Sequence, residues 1–206
     1  MNLNEMLVNL SQKRPVFHSE ADFQHALAWE IHNCFSDCAM RLEFKPPHIK
    51  SRIYADVWIS NSSSIAAIEL KYKTRRLSVK VANETFDLLN QSAQDIGRYD
   101  FIKDIQRLEQ ITSGKKDIKG YAILLTNDSS YWSEPRGMTV DANFRINEGR
   151  TLSGELCWGD KASDGTMRGR EKPILLKGVY NVIWNDYSEL TGSTYNKFRY
   201  LLIEIN

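Results

Sequence analysis

Residues 65–72, IAAIELKY, constrain the fold more than any other stretch of the chain. Side chains alternate along an extended chain, so Ala66, Ile68, Leu70 and Tyr72 face one side while Ile65, Ala67, Glu69 and Lys71 face the other. Both sides open apolar, which is the pattern of a central strand covered on both faces. The same strand then ends with two opposite charges, Glu69 and Lys71, on one of those faces. A buried strand that carries charge at its end needs a reason for it.

The flanking patterns place this strand in an α/β arrangement. Residues 1–18 read as a short helix ending near Pro15. HSEADFQHALAWEIHNCF reads as a second helix, with Ser19 as cap, Asp22 three residues on, and Phe23, Leu27, Ile31 and Cys34 as its buried stripe. MRLEFKPP reads as a strand stopped by Pro46 and Pro47. RIYADVWIS alternates, placing Ile53, Ala55, Val57 and Ile59 on one side and Arg52, Tyr54, Asp56 and Trp58 on the other. NSSS is a turn, residues 86–112 read as a long helix, and KGYAILLTND as another buried strand. The order helix, three strands, helix, strand predicts a mixed central sheet with flanking helices. Further on, MTVDANFRI, RTLSGELCW, PILLKGVYNVIWNDYSEL and NKFRYLLIEI read as strands, with a polar glycine-rich loop between the second and third. One domain is expected over residues 1–206, with a core at 17–126 and a β-rich extension at 127–206.

Composition limits the function classes. The chain has 206 residues, of which 42% are hydrophobic and 26% charged, so it can bury a full core without staples. The apolar runs are too short for a membrane span, and MNLNEMLVNLSQKR lacks the basic start and apolar core of a secretory leader. Cys34, Cys38 and Cys157 show no paired metal spacing and fit a reducing cytoplasm. His18, His25, His32 and His48 show no zinc spacing either. The net charge of +1 neither requires nor excludes nucleic acid, so binding would have to come from a local patch.

The chemistry gathers at the hairpin. If Ser60 pairs with Ile65, Asp56 stands opposite Glu69 with Cβ atoms about 4.5–5.5 Å apart. A one-residue slip would put the two acids on opposite faces. Two carboxylates at ~4 Å repel by about 4 kcal/mol at an effective dielectric near 20. A divalent cation offsets that naturally, because Mg²⁺ takes one or two carboxylates together with water and phosphate oxygens. Lys71 points to the same side as Glu69 and can hold an attacking water or a phosphate oxygen. Glu20 opens the buried stripe of the second helix and points toward the sheet. On the long helix Phe101, Ile105 and Leu108 define the buried side, which runs back through Gln91, Gln94, Asp95 and Arg98. A stripe that turns polar at one end borders a polar site.

At these residues the chain resembles the PD-(D/E)xK nuclease superfamily, the restriction-endonuclease-like fold. The matching pieces are Glu20 on the leading helix, Asp56 in YADVWI, Glu69-Leu70-Lys71 as the E-x-K, and Gln91 or Gln94 as the helix glutamine of some branches. The resemblance covers residues 17–126. Asp56 is not preceded by proline, and Tyr99 stands one residue too far from Gln94 for the RecB-like branch. The resemblance implies Mg²⁺- or Mn²⁺-dependent hydrolysis of phosphodiester bonds in DNA, with RNA left open and a homodimer plausible for double-strand cutting. It implies that Asp56 and Glu69 hold the metal, that Glu20 supports the metal or its water, and that Lys71 positions the nucleophile. Gln94 would orient Lys71 or a phosphate.

Each residue also has a plainer account. Glu69 and Lys71 can be a solvated strand end, and Asp56 one polar residue on an exposed face. Glu20 suits the first turn of any helix, and Asp95 with Arg98 can form a helix ion pair. KYKTRRLSVK follows the E-x-K and contains no acid; its Lys73, Arg75, Arg76 and Lys80, joined by Arg98, are expected to grip phosphates. Lys161, Arg168, Arg170 and Lys172 form a second basic loop. Tyr131 and Trp132 can stack on a base or simply pack. The alternative function is a nuclease-fold module that binds nucleic acid or a protein partner without cutting.

Overall fold

The computed structural model describes residues 1–192 and 194–206. Helix α1 (Leu3–Lys13) is capped by Asn2 and buries Leu3, Met6, Leu7 and Leu10. Helix α2 (Glu20–Cys34) starts where expected, with the Ser19 hydroxyl accepting from the Asp22 N–H at 3.1 Å. Strands β1 (Ala39–Phe44), β2 (Ala55–Ser60) and β3 (Ile65–Lys73) follow. A hairpin of β4 (Leu77–Val81) and β5 (Glu84–Leu88) precedes α3 (Gln94–Thr112) and β6 (Ile118–Thr126). The remainder holds β7 (Thr151–Leu156), the one-turn helix α4 (Asp164–Met167), β8 (Ile174–Asn181), β9 (Trp184–Glu189) and β10 (Lys197–Ile205).

The main sheet is mixed and six-stranded, ordered β1-β2-β3-β6-β10-β9. β3 and β6 run parallel, and every other pair in it is antiparallel. Helices cover both faces, as the doubly apolar strand requires. On one face Phe23, Leu27 and Ile31 of α2 pack with Ile68, Leu70 and Tyr72 of β3. On the other, Phe101, Ile105 and Leu108 of α3 pack with Ala67, Ala122 and Leu124, and the β7–β8 hairpin adds Leu152, Ile174 and Leu176. Glu69 and Lys71 therefore lie under α3. Among the described residues no helix is long and apolar enough to cross a membrane.

Several expectations change. The helix read over 86–112 begins only at Gln94, because Leu77, Val79, Val81, Phe86 and Leu88 alternate with the strand period and close a hairpin turning at Ala82, whose φ is +53°. Gln91 thus sits in a loop, its N–H on the Thr74 carbonyl at 2.8 Å. MTVDANFRI is no strand: it bends through a 3₁₀ turn (Ala142–Phe144) and buries Phe144 and Ile146 against α3. PILLKGVYNVIWNDYSEL is two strands in two sheets, β8 with β7 and β9 with β10. Strand β10 lies between β6 and β9, so residues beyond 126 complete the main sheet rather than extend it. Ile53 and Ala55 pack on the α3 side, unlike Val57 and Ile59, because the chain turns over beside Asp56, where Glu43 on β1 takes a φ of +49°. Cys34 is exposed, since the helix ends there.

Candidate active site

The register that the chemistry needs is present. Asn61 Oδ1 accepts the N–H groups of Ser63 and Ser64 at 2.9 and 2.8 Å, and its own N–H reaches the Ser64 carbonyl at 3.0 Å. That turn fixes an even-length loop, and β2 pairs with β3 from Ser60↔Ile65 to Val57↔Ile68. Continued one step, this register would bring Asp56 opposite Glu69, but the pairing ends at Val57↔Ile68.

The ladder stops at that step, and carboxylates take over from carbonyls. The Leu70 N–H donates to Asp56 Oδ2 at 2.7 Å, and the Tyr72 N–H donates to Glu20 Oε2 at 2.8 Å. Two donors left by the parting strands are thus satisfied by two of the expected site acids. Gln24 holds the gap open from α2, donating to the Asp56 carbonyl at 2.8 Å and to Glu43 Oε1 at 2.9 Å.

Under α3 the charges crowd. Glu69 is 3% exposed and its Oε1 meets no hydrogen-bond partner. Lys71 Nζ lies 3.1 Å from Asp104 Oδ2, and Asp104 Oδ1 accepts from Arg107 at 2.7 Å. Burial pushes Glu69 up to about 9, helped by the charges of Asp104 and Asp56 and opposed by Arg107 and Lys71. Burial likewise pushes Asp56 up to about 6, against the pull of the Leu70 N–H and the Lys71 charge. Burial works to lower the Lys71 amine, but Asp104, Glu20 and Asp56 together hold it above its ordinary value. Lys71 is therefore a fixed cation.

Asp104 is the residue that sequence reasoning missed. It is 1% exposed and shares the buried stripe with Phe101, Ile105 and Leu108. An acid at a buried helical position was the available signal.

Glu20, Asp56, Glu69 and Lys71 come together; the other expected residues do not join them. Gln94 Nε2 donates to Asp128 Oδ2 at 2.8 Å and does not orient Lys71. Arg98 is buried rather than presented to phosphates. It meets Asp141 at 2.7 Å and the Ser130 carbonyl at 2.7 Å, and lies over the buried Tyr131 ring at 5.3 Å. Asp95 does not pair with Arg98; its Oδ1 accepts from the Ile96 N–H. Lys73 and Arg75 are half-buried beyond the E-x-K, while Arg76 and Lys80 are exposed. In the second basic loop Arg170 is tied to Asp100 at 2.8 Å, while Lys161, Arg168 and Lys172 are exposed. Trp132 packs near Trp184 at 5.7 Å.

The donor set suits a hard divalent cation. It consists of oxygens, the Asp56 carboxylate lies near enough for its charge to act on Glu69, and a buried Glu69 oxygen has no partner. Among the described residues no group of three or more His, Cys, Asp or Glu side chains is arranged to hold a metal by itself. Comparison with family models, with curated proteins and with solved structures finds no match for the chain.

Proposed function

We propose that this protein is a metal-dependent nuclease of the PD-(D/E)xK kind, with a restriction-endonuclease-like core, hydrolysing phosphodiester bonds in DNA. The observation that carries the reading is Glu69: a buried carboxylate with a free oxygen, within reach of the Asp56 charge and on the same face as Lys71. Asp56 and Glu69 would hold Mg²⁺ or Mn²⁺, with water and substrate oxygens as further ligands. When bound, the cation supplies Lewis-acid charge and lowers the pKa of its water. Lys71 is kept charged, so it acts as a donor: it orients the attacking water or a phosphate oxygen rather than taking a proton. Asp104 positions that amine, and Arg107 holds Asp104. Glu20 fixes the end of β3 through the Tyr72 N–H and adds its charge to the field around Lys71. Gln94 and Arg98 have no part in this site.

One observation favours a second reading, a nuclease-fold module that binds without cutting. Asp56 and Glu20 each have a structural task, capping a β3 N–H. Cleavage of supercoiled plasmid and of labelled single strands in Mg²⁺, Mn²⁺ or EDTA separates the two. Metal-dependent cleavage is expected, falling roughly 10²–10⁴-fold in Lys71→Ala and Glu69→Gln while circular dichroism shows the fold retained. Mn²⁺ binding is expected for the wild type and lost in Asp56→Asn. Cleavage that survives both Lys71→Ala and Glu69→Gln sinks the assignment. Absent cleavage together with absent Mn²⁺ binding leaves the binding module.

A further inference from the structure

Past the C-terminal ends of the parallel strands β3 and β6 lies a hollow of about 350 Å³. Its wall joins Arg75, which follows the E-x-K strand, to Ser129, Ser130, Ser133, Arg136 and Tyr195. The size is at the small end of pockets that hold organic ligands.

The wall offers donors that the protein does not use. The side chains of Arg136, Ser129, Ser130 and Ser133 make no hydrogen bond or ion pair among the described residues, and all four are exposed. Arg145 lines the same hollow, 15% exposed, with a buried Nε that meets no partner. Two acids also border it, and neither cancels this character. Asp128 is turned inward, accepting from Gln94 and from the Ser130 N–H and lying 3.9 Å from Arg75. Glu134 is exposed, and among the described residues its carboxylate accepts a hydrogen bond only from Asn147, at 3.4 Å. Guanidinium and hydroxyl donors around a concave surface match a phosphate.

Tyr195 adds a flat face. It is 40% exposed and takes a φ of +64°, a backbone region that disfavours bulky side chains. Asn127 holds it there, donating from Nδ2 to the Tyr195 carbonyl at 2.8 Å, and the Arg75 guanidinium lies 4.9 Å from the ring centroid. Glycine would fit that turn at less strain. A strained, exposed aromatic beside unused phosphate donors has the makings of a stacking platform.

We infer that this hollow is a nucleotide subsite: a phosphate is held by Arg136 and the serine hydroxyls, and its base lies on Tyr195. On the nuclease reading, on which only this last step rests, the nucleotide is part of the substrate strand passing from Lys71 along Lys73 and Arg75.

The test is fluorescence polarisation of a 3′-labelled oligothymidylate on the full chain in EDTA, so that the carboxylate site takes no part. The strand is used with and without a 5′-phosphate, and dTMP and inorganic phosphate serve as competitors. Binding is expected to be displaced by dTMP and weakened about tenfold in Arg136→Ala, the loss of one charge-assisted contact. Tyr195→Gly is expected to weaken the strand and dTMP but not inorganic phosphate, with thermal stability retained. If dTMP binds and the strand does not compete with it, the hollow takes free nucleotides and its place on the strand path is overturned. If neither variant changes any affinity, the subsite is overturned, while metal-dependent cleavage in the separate assay would leave the nuclease reading standing. Loss of dTMP binding in Arg136→Ala without cleavage of any substrate keeps the subsite and removes the nuclease.

Discussion

Glu69 and Glu109 are both buried on the α3 side of the sheet, 3% and 6% exposed, and they differ in what meets their carboxylates. Glu109, on α3 itself, accepts from the Lys177 and Gly178 N–H groups at 2.8 and 2.7 Å and from the Tyr180 hydroxyl at 2.9 Å. It ties β8 to the helix and is saturated with donors. Glu69 has one oxygen with no partner and looks at two further acids, Asp104 and Asp56. Native interiors satisfy nearly all their buried polar groups. An acid whose donors are all supplied has a structural task. An acid left open among like charges points to a ligand that the chain does not contain.

The strongest way to break this contrast is to remove a buried charge in the same layer whose terminal nitrogens are both paired, although its Nε meets no partner. Arg98 is such a charge, paired with Asp141 and the Ser130 carbonyl. Arg98→Ala is expected to cost about 3 kcal/mol, since it removes the nearer cation from buried Asp141, which keeps Arg145 at 3.4 Å and the Thr139 hydroxyl. Arg76→Ala and Lys80→Ala, at the exposed edge, should stay within about 0.5 kcal/mol. Urea unfolding measures all three, and a neutral Arg98→Ala would undo the argument that engagement marks structure. Glu109→Gln comes next. It exchanges a charged acceptor for a neutral one at four hydrogen bonds and is expected to cost about 1.5–3 kcal/mol.

The same contrast explains what was legible in the sequence. The alternation of residues 65–72 marked the central strand and its facing, and NSSS marked the turn, because both are local; the register stayed conditional until the Asn61 hydrogen bonds fixed the loop length. Ser19 announced α2 for the same reason. Asp104 escaped because its partner, Lys71, is far away in sequence, and only the rotation of α3 over the sheet brings them to 3.1 Å. Arg98 reads as a phosphate-gripping cation at the polar end of the buried stripe because its partner Asp141 lies on a segment that reads as a strand and folds as a turn. Residues 77–88 hid a hairpin because a basic run obscured an apolar alternation that only the paired strand makes plain. No local pattern marks Glu109 as structural; its donors come from β8, read from the sequence only as a strand in an extension.

The smallest effect expected at a buried charge is the sharpest discriminator. Glu69 titrates near 4.5 ordinarily and is pushed up to about 9 in the folded protein; Asp56 moves from 3.8 to about 6. Both shifts are upward, so the folded state holds these protons more tightly than the unfolded chain. The stability they contribute is complete below pH 4 and is lost as pH rises, through about 6 for Asp56 and about 9 for Glu69. Metal-free wild type should therefore weaken steadily from pH 5 to 9. Glu69→Gln removes most of that slope, and at pH 8 the variant should be more stable than wild type by about 1–2 kcal/mol. Mg²⁺ or Mn²⁺ competes with the proton, so either ion should stabilise wild type more at pH 8 than at pH 5, and the variant little at either. Glu109→Gln should lower stability across the whole range. Thermal melts of the two variants with and without metal decide the matter. If Glu69→Gln destabilises at pH 8 as Glu109→Gln does, Glu69 is a second structural acid, its free oxygen has a partner in solution, and the case for a cation between Asp56 and Glu69 is gone.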